Sequence, residues 1–476
     1  MHLSHVRSVL CVRPDAIGDV MLITPAIRML KQLHPDWQID VLAREYTREL
    51  FDGNADIRQV RIDPYYTGGV KGLRAYWQYV QLWRSWRYDL VIHFYQELPY
   101  VAAAWLAGVP LRLGDRSKIF MAWMNNVPAR QTWRNLTKHE VEHNLDLLKA
   151  LGYQHGYAPM VLKAKSDLRE RMRTRLGQLG WQPGQKLVGI HLSSGGGNKA
   201  WHTAGYAQVI TQLLAAHHKV VLTGQDQDRE AEQSLLAQFG SSVSSLVSQT
   251  SLPELIALIS LYDCYVGVDT GPFHLASALG ISIAAIFPTK NVKPLHWGPW
   301  FTKYLLVRDQ TSCPLACVPR HCPLDTCLKD QSPDSVVQAI ETLLAAGGQL
   351  RQPGFDFYLL ARSSRVLFVV PDDATAKYVQ PLLLKLRHEQ FPYSIFNLAS
   401  QPRTLKAVIE ILVRDDINII HNLCESGGWF WILASYVSAL RLPIPPLYVD
   451  FKMDATVSPA SLGETYWQRF QELTFI

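Results

Sequence analysis

Residues 264–287 read CYVGVDTGPFHLASALGISIAAIF, and their pattern decides the fold. Cys264–Val268 is a short apolar run, a buried strand. Asp269 ends it. Thr270–Gly271 then turn the chain into a helix over Pro272–Leu279, with Pro272 near the first helical position. Ile281–Phe287 is a second apolar run. Strand, helix and strand in so few residues make a βαβ unit, whose strands lie parallel and covered on both faces.

The same alternation extends outward. Upstream, Lys186–Leu192 (KLVGIHL) reads as a strand, Ser193–Gly197 as a Ser/Gly loop, Tyr206–His217 as a helix and Lys219–Thr223 as a strand. Pro253–Leu261 is a helix opened by Ser251 as N-cap. Nearer the start, Val6–Val12 is a strand followed by a loop with Pro14 and Gly18. A helical pattern runs from Val20 to Leu33 until Pro35 closes it. Strand Gln38–Ala43, a helix end at Leu82–Tyr88 and strand Asp89–Phe94 follow. Downstream, the segment Ala345–Phe357 (AAGGQLRQPGFDF) reads as a linker. Beyond it, strands Arg365–Val370, Tyr393–Asn397, Ile417–His421 and Pro446–Phe451 alternate with helices Ala376–His388, Leu405–Arg414 and Trp429–Leu440. The expected class is α/β: two facing Rossmann-like domains over 1–165 and 180–345, an arrangement of the GT-B type, and a third small doubly wound α/β domain over 364–476.

Length and composition agree. At about 150 residues per domain, 476 residues suggest three. Hydrophobic residues make up 48%, enough for full cores, which excludes global disorder. The 47 Lys and Arg against 41 Asp and Glu leave +6, a mild charge that demands no nucleic acid but suits anionic small molecules or an anionic membrane surface. The longest uncharged apolar stretches, His274–Thr289 and Ser426–Leu440, fall short of the ~20 residues that span a bilayer. Val6–Val12 is too short for a signal-peptide core, and Arg13 and Asp15 follow at once. A cytoplasmic protein is expected. Cys11, Cys264 and Cys424 are scattered, as buried reduced thiols are.

Three segments carry chemistry. In Arg13–Asp19 (RPDAIGD), a strand's carboxyl end leads into a helix; Gly18 permits a tight turn or close approach of a ligand, and Asp19 either caps the helix or serves as a general base aimed into a cleft. In His191–Trp201 (HLSSGGGNKAW), hydroxyls, three glycines and Lys199 could wrap a phosphate, although the P-loop spacing is absent and a plain surface loop is the alternative. In Val266–Ala278 (VGVDTGPFHLASA), the helix N-terminus after Asp269 is a ready anion site with His274 one turn in; an ordinary N-cap over a core histidine is the alternative.

Together RPDAIGDVMLITPAIRML, HLSSGGGNKAW and VDTGPFHLASALG, supported by YDLVIHF and VVLTGQDQDREAEQ, resemble the bacterial heptosyltransferases of glycosyltransferase family 9, over about residues 6–342. The resemblance implies transfer of a heptose, or a related sugar, from ADP-heptose or a similar nucleotide sugar to a lipopolysaccharide-core-type or other glycan acceptor, which can be lipid-linked. It implies Asp19 as the acceptor-activating base and Lys199 on the donor phosphates, with Ser193 and Ser194 as the neighbouring hydroxyl pair. Asp269 would contact the donor sugar, and Gly18, Thr270, Gly271, Pro272 and His274 would line the donor site. Asp228 falls where the family commonly places an acidic residue for the ribose hydroxyls. The loop before Lys199 is one residue longer than in the simplest members. Lys199 and the helix end at Thr270 can neutralise a leaving diphosphate, so no cofactor is required for catalysis. Direct displacement predicts inversion at the anomeric carbon.

Other readings stay open: a catalytically silent nucleotide-sugar-binding scaffold, a transferase that glycosylates protein, and an epimerase on the related two-domain scaffold. Val70–Tyr88 mixes Lys71, Arg74, Arg84 and Arg87 with Trp77, Trp83 and Trp86, which suits either peripheral contact with the inner membrane face or a helix whose aromatics are core. In the C-terminal region, Val366–Val370, Ile419–Asn422 and Leu447–Val449 resemble the amino-terminal half of family 4 GT-B transferases. With no partner half after it, the region reads as a docking or assembly module. Cys313, Cys317, Cys322 and Cys327 are spaced C-x3-C-x4-C-x4-C. Four thiolates so placed could close a structural zinc or iron site, or remain thiols packed in a loop. A protein-modifying subset of the family resembles an iron-bearing version of that loop. The chain after it is expected to return toward the first domain.

Overall fold

The computed structural model describes residues 3–65, 70–115, 119–129, 131, 139–154, 157–193, 201–288, 294–308, 328 and 331–345, and beyond these only four strands. Ser194, Lys199, the four clustered cysteines, Cys424 and the helices expected after residue 370 lie outside the described residues.

The first domain alternates β1 (Ser8–Val12), α1 (Ile17–Met21), α2 (Thr24–Leu33), β2 (Gln38–Ala43), β3 (Gln59–Ile62), α3 (Gly72–Trp86), β4 (Leu90–His93), α4 (Leu98–Leu106), β5 (Leu111–Asp115), α5 (Ile119–Ala122), β6 (Val127–Ala129) and α6 (Glu140–Leu148). Helix α7 (Ser166–Gln178) leads into the second domain: β7 (Leu187–His191), α8 (Thr203–Ala215), β8 (Lys219–Thr223), α9 (Arg229–Phe239), β9 (Val243–Ser245), α10 (Leu252–Ile259), β10 (Cys264–Val268), α11 (Gly271–Ala278), β11 (Ser282–Ile286), α12 (Pro294–Trp297), β12 (Tyr304–Val307) and α13 (Pro333–Ala345).

The sheet orders are β3-β2-β1-β4-β5-β6 and β12-β11-β10-β7-β8-β9. Every described ladder in both is parallel. Each order reverses once, between β1 and β4 and between β7 and β10. Ligands of open α/β sheets bind at such reversals, outside the strands' carboxyl ends. The central strands β7, β8, β10 and β11 are buried at every position, which is why they read as unbroken apolar runs.

The helix expected over Val20–Leu33 is two helices. Pro25 lacks an N–H, and its ring crowds the carbonyl of Met21, so α1 ends and α2 begins. Thr24 Oγ1 donates to that same carbonyl at 2.8 Å and satisfies it. The short α1 is thereby free to point its own way. Ser251 caps α10 as expected, with Glu254 reaching back in a capping box. Helix α13 does not return to the first domain: Val336, Ile340 and Leu343 bury an apolar stripe in the second core, against α8, β11 and β12. Beyond it, β13 (Val366–Val370), β14 (Tyr393–Asn397), β15 (Ile419–Asn422) and β16 (Leu447–Asp450) form a parallel sheet in the order β14-β13-β15-β16.

Candidate active site

The site is built where α1, entering from β1, meets α11, entering from β10. The two helix starts pack directly on each other. A Cβ on Gly18 would stand 2.6 Å from Cδ2 of His274, and one on Gly271 would stand 3.0 Å from Cβ of Ile17. Glycine at both positions therefore lets two backbones from different domains approach. What Gly18 admits in this structure is the His274 ring.

Asp19 is the third residue of α1, not its cap; Ala16 holds the N-cap position and supplies no side chain to it. The Asp19 carboxylate goes instead to Arg13, whose Nη2 donates to Oδ1 at 2.7 Å. Arg13 is a buried cation with its side chain 5% exposed. Its Nε donates to Asp15 Oδ1 at 3.0 Å, and its Nη1 donates to the Phe94 carbonyl at 3.0 Å and to Glu140 Oε1 at 3.3 Å. One guanidinium thus serves three carboxyl groups. Their exposures are graded: Glu140 0%, Asp15 14% and Asp19 26%. Burial pushes the Glu140 carboxyl up to about 8 and the Asp15 carboxyl up to about 7, against the pull of Arg13. Three anions cannot share one buried cation cheaply, and the deepest ones keep their protons longest.

Across the seam, Asp269 follows β10, and its Oδ1 lies at hydrogen-bond distance, 3.2 Å, from His274 Nε2. His274 is buried, and its Nδ1 has no hydrogen-bond partner in the described structure. Thr270 caps α11 through its backbone, while its hydroxyl donates to the Val268 carbonyl at 3.2 Å. Pro272 occupies the first turn, where its missing N–H costs nothing. That first turn has N–H groups without intrahelical partners, an anion-binding arrangement.

A third group forms at the ends of β7 and β8. The Ser193 hydroxyl donates to Asp228 in a short hydrogen bond. The Gln225 amide donates to Asp228 Oδ2 at 2.7 Å and to Ser193 Oγ at 3.2 Å. Two residues 35 apart in sequence are thus brought together. Behind them His191 Nδ1 lies 3.0 Å from Thr223 Oγ1, and burial lowers its pKa to about 4.

Arg13, Asp15 and Glu140, which gather around Asp19 in the structure, were not singled out in the sequence. The nearest signal was α6 (EVEHNLDLL), which buries Glu140, His143, Asn144 and Asp146 among its apolar residues. A helix that hides four polar side chains has partners for them elsewhere. Among the described residues no group of three His, Cys, Asp or Glu side chains is arranged to hold a metal.

A family model for glycosyltransferase family 9 (heptosyltransferase) matches residues 77–328, more than half of the chain. Lipopolysaccharide heptosyltransferase 3 of Escherichia coli is 28% identical over 303 residues, covering 60% of this chain and 83% of that protein. Among solved structures, a family 9 glycosyltransferase of Veillonella parvula superposes with a TM-score of 0.62 at 19% identity, over 73% of this chain and 99% of that one. The ADP-heptose lps heptosyltransferase II of E. coli gives 0.58 at 20% identity, over 71% and 99%. These two likenesses establish the shared GT-B fold. With strand order and family match in agreement, this chain is a glycosyltransferase and belongs to glycosyltransferase family 9.

Proposed function

We propose that the protein is an inverting heptosyltransferase that takes a heptose from ADP-heptose and adds it to a lipopolysaccharide-core-type acceptor. The relatives' names supply the sugar, the nucleotide and the acceptor class. The observation that carries the reading is Asp19, a carboxylate oriented by a buried arginine at the seam with the Asp269–His274 helix start.

The chemistry follows from those positions. A sugar hydroxyl is a weak nucleophile, so Asp19 takes its proton as it attacks the anomeric carbon. That carbon becomes oxocarbenium-like, and the negative ends of Asp19 and Asp269 stabilise it. The bond to the diphosphate breaks on the opposite face, which inverts the configuration. The departing charge is met by the N–H groups of the first turn of α11 and by Lys199. Ser193 and Asp228 hold the nucleotide end, with Asp228 on the ribose hydroxyls. Ser194, the hydroxyl next to Ser193, belongs with them.

Transfer is tested with ADP-, GDP- and UDP-sugars and a soluble core-oligosaccharide acceptor. ADP-heptose should be consumed only with acceptor present. Asp19→Ala should abolish turnover while calorimetry still shows donor binding. Binding without turnover by the wild type would favour a silent scaffold, and conversion of the donor without acceptor would favour an epimerase. A polypeptide that accepts the sugar in place of the oligosaccharide would favour protein glycosylation.

We also propose that a lipid-linked acceptor is met at an anionic membrane surface along α3 and α4. No helix of the described residues is long and apolar enough to cross a membrane. Of the three tryptophans read on α3, Trp83 is core and Trp86 half-buried, while Trp77 is exposed beside Leu73. Helix α4 carries no charge, and its outer positions Leu98 and Trp105 are exposed; Trp105 meets exposed Trp123 edge-on at 4.9 Å. Exposed Lys71, Arg74, Arg84 and Arg87 lie along α3. Tryptophan with flanking cations is the composition of an interfacial helix. Vesicles containing phosphatidylglycerol should co-sediment the wild type, and Trp77→Ser/Trp105→Ser should weaken this. Absence of wild-type binding would end the idea.

A further inference from the structure

The carboxyl group best hidden in the site is also the one that touches both domains. Glu140 opens α6 in the first domain and is fully buried. Its Oε1 accepts from Arg13 Nη1 at 3.3 Å. Its Oε2 is buried without a hydrogen-bond partner among the described residues and stands 3.5 Å from His296 Nε2, on α12 of the second domain. Around that contact the two domains are clasped. His139 Nε2 meets the Gly298 carbonyl at 2.9 Å, and Trp300 Nε1 donates to the Ala158 carbonyl at 2.8 Å. Helix α6 is also tied to the end of α1, since Asn144 Nδ2 donates to the Leu22 carbonyl at 3.2 Å.

We propose that Glu140 is a positioning residue for the transfer reaction: it fixes the guanidinium of Arg13 that orients Asp19, and it couples that pair to the second domain through His296. The proposal deepens the reading of Asp19 as the base and rests on it. Arg13 has a rigid, planar fork of donors, so tilting it to follow one carboxyl moves the hydrogen bonds to the others. Shortening the Glu140–His296 contact by about 0.5 Å would complete a hydrogen bond across the domain seam. Domain approach and the aim of Asp19 are then one movement.

Ionisation of Glu140 works against this. The groups around it are Arg13 and Asp15 from the segment between β1 and α1, Asp19 from α1, His139 at the N-cap of its own helix, His143 one turn along that helix, and His296 from α12. A second or third anion in that set competes with Asp19 for the guanidinium. Burial keeps Glu140 protonated up to about 8, so the competition begins only on the alkaline side.

The test uses the full chain with Glu140→Ala, Glu140→Gln and His296→Ala. Crystal structures form the first arm and need no substrate. Glu140→Ala should lose the Arg13–Asp19 contact, and Glu140→Gln should keep it. Turnover of ADP-heptose is the second arm. Glu140→Ala should lower kcat about tenfold or more with donor KM within about twofold, since a misplaced group costs rate rather than binding. Glu140→Gln should recover most of that kcat and flatten the alkaline fall expected of the wild type. His296→Ala should lower kcat severalfold, and should carry the test with Glu140→Gln if Glu140→Ala does not fold. An intact Arg13–Asp19 contact in Glu140→Ala, or equal kcat losses in both Glu140 variants with a wild-type pH profile, would overturn the proposal. Failure of the base reading looks different: Asp19→Asn would keep its kcat. If the wild type turns over no ADP-heptose, the donor assignment falls and the crystal structures alone decide.

Discussion

At the end of β1 one buried guanidinium holds three carboxyl groups; at the ends of β7, β8 and β10 each carboxylate has its own local partner. Asp228 meets the Ser193 hydroxyl and the Gln225 amide, and Asp269 meets an imidazole. The two sheets share one strand order, so topology does not make the difference. The side chains at equivalent loop positions do. The first edge concentrates charge, which orients a carboxylate and makes it sensitive to pH. The second edge presents hydroxyls, amides and a helix start, which suit recognition of a nucleotide sugar.

The largest stability effect should come from removing the shared cation. Arg13→Met leaves up to three carboxyl groups around an apolar side chain, and breaking a buried ion pair in this way typically costs about 3–5 kcal/mol. A urea titration at pH 7 measures it. A loss near zero would mean that the first edge is no more electrostatically loaded than the second.

The next effect is pH dependence. Glu140 and Asp15 have folded pKa values raised to about 8 and about 7. Between the unfolded value and the folded one, the folded state binds the proton and the unfolded state does not, so stability falls as pH rises through that window. The buried His139, His93 and His191, lowered to about 3, about 3 and about 4, act with the opposite sign, but their window closes at 6.5. Tm should therefore fall between pH 6.5 and 8.5, and Glu140→Gln should flatten that fall. A fall of equal slope in the variant would move its origin away from the first edge.

Gly18→Ala probes the seam between the two edges. The added Cβ would drive His274 off by several tenths of an ångström, an overpacking that costs about 1–3 kcal/mol. A neutral result in thermal melts would show that the domains separate there easily. Smallest is Ser193→Ala, which removes one hydrogen bond to Asp228 and should cost about 1 kcal/mol. Its signature should be a raised donor KM with kcat largely kept.

The alternation of strands and helices was legible because parallel strands read as unbroken apolar runs, and Cys264–Val268 agrees residue for residue. The Gly-Asp and Asp-Thr-Gly-Pro turns were legible because each needs a glycine for close approach. The break between α1 and α2 was hidden by a continuous amphipathic pattern, although Pro25 stood within it. The Arg13–Glu140 pair was hidden by distance: 127 residues separate the partners, and nothing local to either says that both are buried. Pairing across that span is a product of strand order, and the sequence pattern does not contain it.

On the proposed reading, the first edge performs the proton transfer and the second holds the donor. Transfer kinetics and donor affinity of Asp19→Asn and Asp228→Asn, measured side by side, test it most directly. Asp19→Asn should lose about a hundredfold or more in kcat with donor Kd within about twofold, because only the base is removed. For Asp228→Asn the reverse is expected, weaker donor binding with kcat mostly retained. The same loss profile in both variants, or undiminished kcat in Asp19→Asn, would contradict the division of labour between the two edges.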